Sequence, residues 1–118
     1  MLKLNHKDLD VWIRSKDLVK EIYRLCEKLP KDEKYILAQQ MKRASISFSS
    51  NIAEGFARKS NKETRRFLDI ARSSIVEVDT QIELCVALKY LSKEEIENVD
   101  EIINHSFAMI TNLIKKIN

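Results

Sequence analysis

The chain has 118 residues, 44% of them hydrophobic, with one glycine, one proline and a formal net charge of +3. That length reads as a single domain, residues 1–118, and the scarcity of Gly and Pro argues against turn-rich β architectures. The start, Met1 to His6, lacks the apolar segment of a secretory signal, and no apolar run approaches the roughly 20 residues of a membrane span, so a cytoplasmic protein without membrane contact is expected.

Four helices follow in chain order. Val11, Trp12, Ser15, Leu18, Val19, Ile22, Leu25, Cys26 and Leu29 recur at spacings of three and four, which predicts a first helix from about Asp8 to Leu29. Pro30 stops it, and Asp32 can cap a second helix that runs to Gly55, expected just past its end. Ser60-Asn-Lys-Glu63 is a capping box and opens a third helix to about Tyr90, with Phe67, Ile70, Ala71, Ser74, Ile75, Val78, Ile82, Cys85 and Leu88 on one face. Ser92-Lys-Glu-Glu95 is a second capping box, ahead of a helix with Ile96, Val99, Ile103, Phe107, Ile110, Ile114 and Ile117 on its core side. The fold expected is all-α, an antiparallel up-down-up-down four-helix bundle with turns at Pro30, Gly55–Lys59 and Leu91-Ser92. Trp12, Ile13, Tyr23, Tyr35, Ile36, Ile46, Phe56, Leu84 and Tyr90 fall outside or at the edge of the core stripes. Gathered on adjacent helices, such residues make a partner-binding patch.

The second helix carries an unusual ladder. Wound at 100° per residue, Gln40, Arg43, Ser47, Asn51 and Glu54 share one stripe beside the apolar stripe of Leu37, Met41, Ala44, Phe48 and Ile52. Side chains of this kind suit a largely buried hydrogen-bond network between helices or between subunits, rather than a solvated Lys/Glu face. A catalytic reading has less support: the ladder holds one carboxylate and no acid pair, and there is no Gly-rich phosphate loop. Cys26 and Cys85 sit at core positions and read as reduced core residues, and with His6 and His105 they show no metal-ligand spacing. Neither a metal nor a cofactor is expected.

Charge is unevenly spread. Residues 42–72 carry eight basic side chains against three acidic ones, whereas residues 73–118 carry four against eight. Arg58 and Lys59 sit just before the third helix, where their charge adds to the positive end of its dipole and attracts phosphate. Lys62, Arg65 and Arg72, with Arg66 among them in sequence, share an outward face of that helix with Asp69 and extend the phosphate-binding surface. The competing reading is a solvated face with pairs such as Arg65–Asp69. Without a recognition-helix motif or a stacking aromatic in the cluster, any nucleic-acid binding would be sequence-tolerant.

Asp8-Leu-Asp-Val-Trp12, Ile22-Tyr23, Leu29-Pro30, Gln40-x-x-Arg43-Ala44, Ser47, Asn51-Ile-Ala-Glu-Gly55, Arg58, Glu63, Phe67-Leu68, Ala71, Ser74 and Glu77 together resemble the bacterial 23S rRNA-intervening-sequence proteins over nearly the whole chain. One departure is Ser49, where that family often has proline, which puts a helix kink there in question. The resemblance implies a four-helix bundle assembled into a ring, typically a homopentamer. That family is also similar to the accessory variability protein of diversity-generating retroelements, a basic pentameric bundle that works with a reverse transcriptase and nucleic acid. Two functions therefore stand: a non-catalytic ring-forming RNA- or DNA-binding accessory factor, and a protein-interaction scaffold that binds no nucleic acid.

Overall fold

The computed structural model describes residues 1–117. Four helices account for most of it: α1 (Asp10–Cys26), α2 (Leu37–Phe56), α3 (Asn61–Ala87) and α4 (Glu97–Lys116). Each packs against two neighbours, α1 on α2 and α4, α3 on α2 and α4. Their cross-helix pairs run in opposite directions. Ser47 meets Ser74 while Gly55 meets Thr64, and Arg72 meets Thr111 while Arg65 meets Ile117. The bundle is thus antiparallel, as the alternating apolar stripes and short turns predict.

The stripes converge on one core. Leu18, Ile22, Leu25, Met41, Phe48, Ile52, Leu68, Ile75, Val78, Val99 and Ile110 are essentially without exposure. Two residues expected on the core face of α3 are not part of it. Leu68 is buried, while Ile70 and Leu88, expected on the core face, are exposed. The core face of α3 is centred on Leu68, Ala71, Ile75 and Val78, and Leu88 lies past the end of the helix at Ala87, where the helical spacing no longer sets its direction. Cys26 and Cys85 are buried free thiols. Burial pushes the Cys85 thiol up to about 11, which keeps it protonated and unreactive.

The helix ends follow the predicted caps with three corrections. Ser60 Oγ accepts from the Glu63 amide at 3.2 Å and starts α3. Ser92 and Glu95 form the full reciprocal box, Glu95 N to Ser92 Oγ at 3.1 Å and Ser92 N to Glu95 Oε1 at 2.9 Å, but in the turn that leads into α4, which itself begins at Glu97 without a side-chain cap. Asp32, however, does not cap α2: residues Lys31–Glu33 form a 3-10 turn, and α2 begins only at Leu37, without a side-chain cap. Nor does Gly55 end α2 in a left-handed conformation. It lies inside the helix with ordinary negative φ, and the left-handed residue among those described is Lys89, φ 62°, just after α3.

Gly55 is instead a contact point. A Cβ there would lie 3.2 Å from the Thr64 carbonyl oxygen and 3.3 Å from the Phe67 Cβ. The Gly55 carbonyl accepts from Thr64 Oγ1 at 2.8 Å, which locks the end of α2 to the first turns of α3. Both close atoms belong to or adjoin the α3 backbone and cannot swing aside. Gly55→Ala gains about 0.5–1 kcal/mol of helix propensity but overpacks a tight crossing, a cost of about 1–3 kcal/mol. A net loss of about 1 kcal/mol in urea denaturation is the expected result, and a gain in stability would show that α3 can retreat.

No helix among the described residues is long and apolar enough to cross a membrane.

Candidate nucleic-acid interface

The basic end of the bundle is built by the α2–α3 turn and the first turns of α3. Six side chains were expected there, and they play three different roles. Lys59, Lys62 and Arg66 are exposed and form no ion pair among the described residues. Arg58 is exposed but shared: its Nη2 lies 3.0 Å from Glu54 Oε2, and its guanidinium sits 4.5 Å from the Phe67 ring centre. Exposed pairs of this kind are weak, so Arg58 remains available to a phosphate.

Arg65 and Arg72 are half-buried and turned toward α4. Arg65 Nη2 donates to the Ile117 carbonyl at 2.7 Å, satisfying one of the carbonyls that the end of α4 leaves without a helical partner. Arg72 Nε donates to Thr111 Oγ1 at 2.9 Å, and its guanidinium lies 4.3 Å from the Phe107 ring. Both therefore clamp α3 to α4. Of Lys62, Arg65 and Arg72, which the helix wheel puts on one outward face, only Lys62 is exposed, and Arg66 beside them is exposed as well. Packing explains the difference, since the long arginine stems cover apolar surface of α4 while their heads find acceptors.

The same clamp adds residues that sequence reasoning missed. Joining Arg65 to Ile117 brings the last turn of α4, with exposed Lys115 and Lys116, beside the first turn of α3. The signal was available in the antiparallel order, because the end of α4 must share a pole with the start of α3. Lys62, Arg65, Arg66, Ile70 and Ser73 line a shallow depression on this face of α3, along with Glu63 and Asp69.

The polar ladder of α2 is only partly assembled within the subunit. Ser47 Oγ and Ser74 Oγ are 2.9 Å apart across the α2–α3 seam, and Asn51 Nδ2 donates to Ser47 Oγ at 3.0 Å and to its carbonyl at 2.9 Å. A second hydroxyl pair, Ser15 with Ser49 at 3.0 Å, ties α1 to α2. Gln40, Arg43 and Glu54 are exposed instead, and Glu54 pairs with Arg58 rather than with Arg43. Short serines meet where the two helices are close, whereas the longer side chains at the ends of the ladder reach past the seam into solvent. A charged network buried inside the subunit is therefore not formed.

His6 is buried edge-on against Trp12, ring centres 5.1 Å apart, and His105 is exposed on α4. Among the described residues no group of three or more His, Cys, Asp or Glu is placed to hold a metal ion.

Comparison with known proteins agrees with this architecture. The sequence profile of the family described as 23S rRNA-intervening sequence protein matches residues 7–112. Among solved structures, the chain is similar to a protein of unknown function from the S23 ribosomal protein family of Bacteroides thetaiotaomicron VPI-5482. The TM-score is 0.82 at 22% identity, over 90% of this chain and 99% of that one. The likeness at that identity is one of fold. A comparison with curated proteins returned no match.

Proposed function

The chain belongs to the 23S rRNA-intervening sequence protein family, and from that premise we propose that it is a non-catalytic, cytoplasmic, ring-forming accessory protein that holds RNA or DNA by the phosphate backbone. The observation that carries this reading is the convergence of Lys59, Lys62 and Arg66 with Lys115 and Lys116 at one end of the bundle. Such an end attracts phosphate without reading bases. One subunit offers few phosphate-binding groups, but a ring repeats them around its axis, and linked weak interactions multiply in affinity.

Support for assembly comes from α1, α2 and the turn between them. Tyr23, Tyr35, Ile36 and Ile46 are exposed there, with Tyr35 at 76% and Ile36 at 64%. Trp12, Phe56 and Tyr90, by contrast, pack partly against the core. The exposed group, with the unburied Gln40 and Arg43, is suited to meet a different patch on the next copy, which closes a ring when the rotation permits. Five subunits follow from the family resemblance.

The scaffold reading rests on the same apolar residues and needs no phosphate binding. Light scattering and fluorescence anisotropy with labelled RNA and duplex DNA separate the two. An oligomeric mass at micromolar concentration and binding that weakens steeply with salt are expected. A monomer mass refutes the ring. An intact ring that binds neither nucleic acid at low salt replaces the accessory-factor reading with the scaffold.

A further inference from the structure

The opposite chemistry gathers along the α3–α4 seam, away from the basic end. Two depressions follow each other there. One is floored by Ile75, Val76, Ile103 and Phe107, and the next by Leu84, Val86, Ala87 and Ile96. They abut, because Thr80 of the second directly follows Asp79 of the first, and Asp100 lies one helical turn from Asn104. Val76 and Leu84 are 49% and 47% exposed, high for aliphatic side chains on a helix pair. The rim is acidic: Asp79, Glu83, Glu97 and Asp100, with Lys93 the one base lining it and Arg72 stacked on Phe107 at the end nearer the basic pole. None of these four carboxylates takes part in an ion pair among the described residues, although five other ion pairs form elsewhere on the surface. The Asp100 carboxylate accepts from the side chain of Asn104, at 3.3 Å. Between Arg72 and Lys89 the sequence of α3 has no Lys or Arg, and α4 has none before Lys115.

We propose that this seam is a docking groove for a basic amphipathic helix of a partner protein. An apolar floor bounded by unpaired carboxylates is complementary to a helix with leucine-type anchors on one face and Lys or Arg flanking them. From Val76 to Ala87 the groove runs about 16 Å, room for about three helical turns. The surface is distinct from the basic end and from the exposed group on α1 and α2. It therefore stands whether or not the chain binds nucleic acid.

The test uses the full chain and a fluorescein-labelled synthetic peptide of about three turns, with leucines at i, i+4 and i+7 and lysine or arginine at the other positions. A scrambled peptide of the same composition is the control. The patterned peptide is expected to bind at least about tenfold more tightly than the scrambled one. Leu84→Ser is expected to weaken it about tenfold, and the double variant Glu83→Lys with Asp100→Lys at least as much. Changing Lys59, Lys62 and Arg66 to Glu leaves peptide binding undiminished. The exposure of Leu84 and Glu83 keeps both groove variants folded, which circular dichroism verifies. Equal binding of the two peptides reduces the groove to general charge attraction and overturns the proposal. So does peptide binding that neither groove variant weakens. A fall in assembled mass on Leu84→Ser assigns the groove to a second copy of the chain and overturns it as well.

Discussion

A variant with Lys59, Lys62 and Arg66 all changed to Glu is expected to lose nucleic-acid binding while keeping its fold and its assembled mass. These three are the exposed cations of the α2–α3 turn and the first turns of α3 that form no ion pair among the described residues, while Lys115 and Lys116 of α4 are left in place. Removing one cation from a phosphate lowers the slope of log affinity against log salt by about 0.7–0.9, so three together remove about 2–3 per site. Reversal does more than removal, because three carboxylates then repel the same phosphates, and a ring repeats that repulsion on every subunit. Arg65 and Arg72 are unsuitable for this experiment. Reversing them breaks the bonds to Ile117 and Thr111 and places an anion against the end of α4, so weaker binding would be confused with weaker packing. Anisotropy at several salt concentrations reads the slope, and thermal melting reads the fold. Unchanged affinity and slope in a folded variant would remove the basic end from the function.

The largest effect on stability is expected at Phe48. Its side chain is fully buried in the common core of the four helices. Truncation to alanine removes its transfer free energy and leaves a cavity that four antiparallel helices cannot collapse freely, a loss of about 3–5 kcal/mol. A domain of this size has a total stability on the order of 10 kcal/mol. Phe48→Ala should therefore lower the melting temperature by on the order of 15 °C and reduce the urea midpoint in proportion. A loss below about 1 kcal/mol would mean that the core repacks around the gap.

The basic end and the Phe48 core draw on different parts of what a sequence encodes. Helix number, order and antiparallel packing were legible because apolar spacing and capping are local. A residue three or four positions away shares its face whatever the rest of the chain does, and Ser60 with Glu63 or Ser92 with Glu95 complete their bonds within one turn. Charge separation was legible for the same reason, since it survives any packing of the helices. What stayed hidden depended on the second helix at each crossing. Arg65 and Arg72 looked like solvent-facing cations until α4 supplied a carbonyl, a hydroxyl and an aromatic face. Gln40, Arg43 and Glu54 looked like one network with Ser47 and Asn51, yet only Ser47 has a partner across the seam. Gly55 invited a helix-end reading on its identity alone, whereas its role is set by a carbonyl 3.2 Å from where its side chain would begin, contributed by Thr64 of the next helix. A side chain's local face follows from its own helix, but whether it is free, buried or clamped follows from the neighbour that packs against it, and that neighbour is chosen by the closure of the whole bundle.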